Sequence, residues 1–471
     1  MMKGIIQSNA AINIFLFFII IFGFHLLNDN HGYEMFDVSV YLSWTGAWLQ
    51  DPQKTYLVPG TFYPYVGTLG FALPLKAIIA SFPGLPIAQI EVLYKWAQFP
   101  IDIANISLFS WILSTFRIPK ALTISLLVFL LPAFWVNGAA WGILDNLTQF
   151  FMLLSLSAMT RIWVIPSEQE RPPSILRDSL YFLLAVLGLV FGVMTKQTFL
   201  FSVPGLIIGI GFAAVVLVQR HQLGYYGILV GLGLGILPLI FINMWLELPN
   251  GYFDHITYIL FERSPHANAI DSYGIDLWYL IRHSSNALDI FIFNLSYKQF
   301  GMIAFLSSML FIGGGWFTFL LRPQRTWKLL TLPQGPLLIA VNLCLFLSLS
   351  NLSFNLFLTG THERYPCHIY LFLWISVLLL RQANLLKVWQ LWSLSVLSFL
   401  YGCYVWLVMG QHFIAHAEFF GALRYCLVLA HGFLFVNLWI FWTQFKKMTV
   451  RFSITGRIPH LKGPTSSTVL G

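Results

Sequence analysis

Continuously apolar stretches of close to 20 residues alternate along the chain with short polar or basic breaks. About 20 helical residues cross a hydrocarbon core of about 30 Å, and a helix satisfies its own backbone hydrogen bonds in lipid. The pattern therefore predicts an all-α membrane protein. Strands of a transmembrane barrel would alternate in polarity over about 10 residues, which these stretches do not do.

The breaks set the threading. Short basic loops stay on the cytoplasmic side, and the basic breaks are 117–120, 161–177, Arg220, 322–328 and 381–387, with a tail from Lys446. Helices threaded between them predict twelve spans, near 10–27, 94–116, 121–139, 144–160, 179–195, 198–218, 224–246, 301–321, 333–357, 366–380, 389–410 and 422–445, with both termini cytoplasmic. Counting Val66 to Ser81 as a further span would reverse every later loop, so it is assigned to a juxtamembrane helix on or in the outer leaflet. The first stretch, Ala10 to Leu27, has no small-residue cleavage site after it and reads as a retained helix.

Composition narrows the class. Of 471 residues, 58% are hydrophobic and 9% charged, against roughly 25% charged in a soluble domain. A water-soluble globule is excluded. The threading puts 17 of the 26 Lys and Arg, but three of the 18 acids, on the inner face. The outer side is thus enriched in acids, and the net charge of +8 calls for no nucleic-acid partner. Cys344, Cys367, Cys403 and Cys426 have neither paired nor metal-like spacing.

Two outer segments, 28–93 and 247–300, are long enough to carry function. The first holds Asp29, His31, Glu34 and Asp37, then Tyr41, Trp44, Trp48, Tyr56, Tyr63, Pro64 and Tyr65. Its aromatics also suit a membrane belt. Glu34 and Asp37 would share one face of a helix starting near Tyr33. Three more polar spots fall at outer helix ends: Trp141 to Asn146, Lys196-Gln197-Thr198, and Thr361-His362-Glu363-Arg364-Tyr365. Ionisable groups at membrane depth are costly and so are functional candidates, with Glu363–Arg364 as a plain helix-end ion pair the competing reading. The second outer segment, with Glu262, Arg263 and His266, either closes over a site or only connects helices. The Asn-x-Ser/Thr matches at 105, 146, 294 and 351, and the pair His412 and His416, are discounted as chance and as a solvated connection.

Taken in order, these residues resemble the GT-C superfamily of membrane glycosyltransferases. Asp37 with Tyr41, Trp44 and Trp48 is similar to the acidic start of that family's first outer loop. Phe62-Tyr63-Pro64-Tyr65 and the helix behind it resemble its Tyr-Pro-Pro element. Asp102, Trp-Gly-x-x-Asp at 141–145, Lys196-Gln197 and His362-Glu363-Arg364-Tyr365 also match. Tyr65 stands where the family often has Pro, Ile143 where Gln is common, and no adjacent acid pair is present. Glu34 therefore competes with Asp37 as base.

The resemblance implies transfer of a hexose of mannose or glucose type from a polyprenyl-phosphate carrier, with inversion, to a lipid, glycan or protein acceptor. Asp37 would be the catalytic base, with Glu34 the alternate. His362, Arg364, Lys196 and Arg263 would hold the donor phosphate, and Glu363, Asp102, Asp145, Tyr63 and Tyr365 would orient the site. No cofactor is required, although Asp37 and Glu34 together could hold Mg²⁺ or Mn²⁺. The chain divides into a catalytic module over 1–300, a C-terminal helical module over 301–445 and a basic tail over 446–471. Short loops favour a bacterial plasma membrane over an endoplasmic reticulum. The rival class is a secondary transporter with an outward-facing polar cavity, which many carriers would mark with an internal repeat.

Overall fold

The computed structural model describes residues 2–28, 33–52, 63–164, 174–245, 268–270, 272–320, 323–332, 334–410 and 416–455. Helices α1 (Met2–Asn28), α2 (Tyr33–Gln50), α3 (Tyr65–Ser81) and α4 (Ile87–Thr115) come first. The next segment is broken into α5 (Ala121–Phe129), α6 (Pro132–Trp135) and a π-helical turn, Val136–Ala140. Then follow α7 (Asp145–Trp163), α8 (Ile175–Val193), a 3-10 turn (Gln197–Phe201), α9 (Val203–Arg220) and α10 (Gly224–Trp245). After α11 (Trp278–Ile281), the strands β1 (Ile290–Ile292) and β2 (Leu295–Ser296) form an antiparallel hairpin. The chain ends its described course with α12 (Tyr297–Leu320), α13 (Pro323–Thr331), α14 (Gly335–Phe357), α15 (Cys367–Gln382), α16 (Val388–Met409) and α17 (Ala417–Thr455).

The chain is a multi-pass all-α membrane protein by the length and composition of these helices. Among the described residues six are long and apolar enough to cross a bilayer, or seven if α5 and the Pro132–Ala140 segment are one bent span. The expected straight span at 121–139 is instead bent by 72°. Pro132 explains the break, because its ring cannot continue the preceding helix and it lacks a donor. Helices α4 and α7 are less apolar for a different reason. They carry Glu91, Lys95 and Asp102, and Asp145 and Arg161, and these helices pack within the bundle, where polar side chains meet protein rather than lipid. Glu91 and Lys95, one turn apart, pair at 2.7 Å with both side chains fully buried.

Burial separates centre from rim. Helix α14 has 94% of its apolar window buried and α10 only 17%. The polar residues of α14 bond inward: Asn342, Ser348, Asn351, Ser353 and Asn355 each donate to a carbonyl four residues back, and Asn351 Nδ2 also donates to Ser202 Oγ at 3.0 Å. Helix α3 packs Thr68, Phe71, Ala72 and Leu75 against the protein and leaves Leu73 and Ile79 exposed, the two-faced arrangement of a helix between bundle and lipid. The basic tail expected from Lys446 begins inside α17, which continues to Thr455.

The two ends of the bundle differ chemically. At the start of α8, Asp178 gathers Arg177, Arg220 and His221 at 3.2, 3.2 and 2.9 Å. Lys196 follows the other end of α8, about 27 Å away along the axis at 1.5 Å per residue. The close approach that fixes this second end is α3 against the turn at 194–196, where Gly67 N donates to Met194 O at 3.1 Å. A Cβ at position 67 would overlap the Thr195 carbonyl oxygen. Gly67→Ala is expected to cost about 1–3 kcal/mol, the usual price of overpacking, seen as a lower thermal midpoint in detergent; an unchanged midpoint would mean that α3 does not lie against this turn.

Candidate active site

The site grows from the broken helix. Asp102 Oδ2 in α4 accepts from Ala139 N at 3.0 Å within the π-helical turn. Gly142 then turns the chain with φ of +79°, a region L side chains avoid, before α7 starts at Asp145. Trp141, held between these two features and buried, donates from Nε1 to Asp37 Oδ2 at 2.7 Å. Asp37 is half-buried on α2, and among the described residues this is its one hydrogen bond. Asp102 thus acts on the site through the backbone that carries Trp141.

Asp145 is the second centre. Its Oδ1 accepts from Lys196 Nζ at 2.8 Å and lies 3.6 Å from His368 Nε2. Its Oδ2 stands 4.0 Å from Arg364 Nε, too far for a hydrogen bond. Neither of those two atoms has a hydrogen-bond partner among the described residues. Arg364 also donates from Nη1 to Glu363 Oε1 at 3.0 Å, and its guanidinium lies over the Trp141 ring at 5.4 Å. Glu363 Oε2 is 3.6 Å from His362 Nδ1. Lys196 sits over the rings of Tyr63 at 5.9 Å and Tyr365 at 5.4 Å. Behind Tyr63, its hydroxyl meets that of Tyr41 at 3.2 Å, and Tyr41 stacks on Phe71 at 4.7 Å.

A clasp from the far side fixes 361–364. The backbone of His362 bridges Ser272 and Tyr273, Thr361 Oγ1 donates to Asp276 Oδ2 at 3.1 Å, and Tyr401 Oη donates to Arg364 O at 2.9 Å. Arg424 of α17 donates from Nη2 to Gly274 O at 2.7 Å and lies 4.0 Å over the Tyr279 ring. Residues 272–276 of the second outer segment are therefore packed against the site rather than being a remote connector.

Electrostatics follow from this geometry. Burial pushes the Asp37 carboxyl above the ordinary carboxylate range, with Arg364 and the Trp141 bond pulling against it. Burial, then the Arg364 charge, lowers the His362 pKa, so at neutral pH it is an uncharged hydrogen-bonding ring. Burial opposes ionisation of Glu363, yet the His362 hydrogen bond and Arg364 hold it down at about 2. Burial likewise opposes the Lys196 charge, and the Asp145 carboxylate outweighs it and raises the pKa. The cluster thus sets three carboxyl groups, Asp37, Asp145 and Glu363, against two cations, Lys196 and Arg364.

Of the residues expected in the site, Asp37, Asp145, Lys196, His362, Glu363, Arg364, Tyr63 and Tyr365 come together, and Asp102 supports them from behind. Arg263, like Glu262, His266, Asp29 and His31, lies outside the described residues. Glu34 is on α2, but its side chain is also outside them. Sequence reasoning assigned no role to Trp141, although it quoted the motif containing it, nor to His368 or Arg424. His368 had a signal, since it stands four residues after Arg364 and so one turn along. Asp145, Cys367 and His368 present donor atoms within 4.8 Å of one another. A cation there would have to displace the Lys196 ammonium from Asp145 Oδ1, which disfavours such a site.

The Glu363 pairing carries a pH signature. A carboxyl held at about 2 when folded and near 4.5 otherwise contributes about 3 kcal/mol. That stability is present above pH 4.5 and is lost as pH falls toward 2. Glu363→Gln is expected to lower the thermal midpoint at neutral pH and to flatten its decline over this acid range, measured beside the parent protein; parallel curves would remove the pair from the stability of the fold. No protein-family model matches the chain, and no curated protein matches it significantly.

Proposed function

We propose that the protein is a GT-C-type membrane glycosyltransferase that moves a hexose of mannose or glucose type from a polyprenyl-phosphate carrier to an acceptor hydroxyl at the outer face. The observation that carries this reading is the meeting of one half-buried carboxylate, Asp37, with two cations, Arg364 and Lys196, drawn from three distant parts of the chain. The twelve-span threading, with cytoplasmic termini and the site on the outer side of a bacterial plasma membrane, belongs to the same reading. The collection of Arg177, Arg220 and His221 at the opposite end of the bundle supports it.

A glycosyl phosphate brings its own low-pKa leaving group, so a single base suffices and the acid of an ordinary glycosidase is unnecessary. With Oδ2 held by Trp141, Asp37 offers Oδ1 to the acceptor hydroxyl and takes its proton as the oxygen attacks the anomeric carbon. The bond from that carbon to the phosphate oxygen breaks on the opposite face, and the configuration inverts. The departing lipid phosphate carries the released charge. Arg364 Nε, which has no hydrogen-bond partner among the described residues, and the hydrogens of Lys196 not given to Asp145 are the donors available to it. His362 adds a neutral hydrogen bond. Tyr63 and Tyr365 bracket the Lys196 ammonium and direct it. No metal is needed in this scheme, and Mg²⁺ dependence would point to Asp37 acting with Glu34.

Two measurements test it. Labelled hexose should pass from polyprenyl-phosphate hexose to extracted lipids with the purified protein, and Asp37→Asn should remove transfer while leaving folding intact. Uptake of solute by proteoliposomes with no transfer from any donor would make the chain a carrier instead. Because Asp37 must be ionised, activity should rise with pH through the raised Asp37 pKa. Trp141→Phe, which deletes a hydrogen bond favouring the carboxylate, should move that rise to higher pH and reduce the rate below it; an unmoved profile would separate Trp141 from the base.

A further inference from the structure

Strand β1 of the hairpin is apolar on both faces. In a strand pair with one face on the protein, the outward face is ordinarily polar. Here Phe291 points inward, with its ring 5.4 Å from Trp278, 4.8 Å from Tyr297 and 5.3 Å from Phe300. Its outward neighbours are Ile290, 70% exposed, and Ile292, 39% exposed. The two-residue tip is Phe293-Asn294, both with positive φ, 50° and 61°. Asn tolerates that conformation, whereas Phe is seldom found there. Phe293 is nonetheless 86% exposed, so no contact among the described residues accounts for it. Leu288 at 54% and Ile281 at 44% extend the patch.

The occupant follows from where the hairpin ends. Strand β2 passes directly into α12 at Tyr297, and the outward residues of that helix, Ile303, Leu306, Leu310 and Phe311, are 50–76% exposed and all apolar. The patch is thus continuous with a lipid-facing stripe. From Phe293 to Tyr297 is four residues, at most about 14 Å of extended chain. That reach is comparable with the headgroup layer and the outermost acyl carbons. Exposed Arg282 and His283 stand at the base of the finger, on the phosphate side of such a layer.

We propose that the hairpin 288–296 is an interfacial finger whose tip, Phe293 with Ile290 and Ile292, inserts into the leaflet on the same side as the polar cluster. It is tied to that cluster through one rigid segment. Trp278, on which Phe291 packs, donates to Phe357 O at 2.8 Å, and Asp276 accepts from Thr361 beside His362. The finger thereby fixes the depth of 361–364 relative to the lipid. This inference rests on the membrane character of the chain and not on glycosyl transfer.

The test is a fluorescence depth measurement on the full chain in nanodiscs. Cys426 and Cys403 are replaced by Ser and Ala, the buried Cys344 and Cys367 are kept, and a nitrobenzoxadiazole label is placed at Phe293→Cys. Ile290→Cys repeats the measurement should the first variant fold poorly. Leu310→Cys serves as the lipid reference and Ser285→Cys as the aqueous one. The label at 293 is expected to lose most of its emission to phospholipid carrying a shallow doxyl group, as at 310, and to resist iodide. Emission at 293 that iodide quenches as fully as at 285, with no effect of the doxyl lipid, would overturn the proposal. Both outcomes are independent of whether any sugar is transferred.

Discussion

A fully buried ammonium must be paired, and the Lys196–Asp145 contact is the constraint on which the rest of the site depends. Desolvation makes each of these charges costly alone, and removal of one partner would strand the other. The pair ties the first residue of α7 to the turn after α8. Everything else in the cluster is arranged around that tie: the tyrosine rings against Lys196, His368 against the shared oxygen, and Arg364 facing the second oxygen of Asp145. Because both Asp145 and Trp141 belong to the short stretch between the π-helical turn and α7, the same constraint places the indole that holds Asp37. Asp37 and Lys196 are thus placed by one local piece of backbone, while Arg364 is held by the clasp from 272–276.

Much of this was legible in the sequence. Apolar stretches near 20 residues marked the helices, since lipid imposes length and composition directly. The isolated charges at 37, 145, 196 and 362–364 were legible because a membrane protein has little reason to keep such residues except in a shared polar environment. The break at Pro132 was missed even though proline was visible, because an apolar run conceals a bend that protein packing, not polarity, stabilises. Trp141 and Arg424 were illegible as site residues for another reason. An aromatic or a basic residue near a helix end has an ordinary explanation in the membrane interface, and only a distance distinguishes the two roles. The low hydropathy of α4 and α7 marks helices that meet protein on most sides.

The same economy shows in how three carboxyl groups share two cations. Arg364 faces three carboxyl groups and hydrogen-bonds only Glu363 among them, and its Nε has no partner among the described residues. Asp37 and Arg364 have partial access to solvent, while Lys196 and Asp145 pair deeper in the protein. The fully paired charges therefore lie beneath the cluster and the partly solvent-reached ones at its surface.

Pairing has a further consequence for how the chain is made. Glu91 and Lys95 are one turn apart, and Glu363 and Arg364 are adjacent, so each pair leaves the ribosome already close to neutral and can enter a bilayer as a dipole. Asp145 and Lys196 come from neighbouring helices and can neutralise each other once α7 and α8 are in place. Asp37 finds Trp141 within the first third of the chain, but the Arg364 charge that faces it comes from the last third. In order of synthesis the Glu91–Lys95 and Asp145–Lys196 pairs are complete by residue 196, whereas the Arg364 charge beside Asp37 and the Arg424 clasp behind it are added only with the last third of the chain.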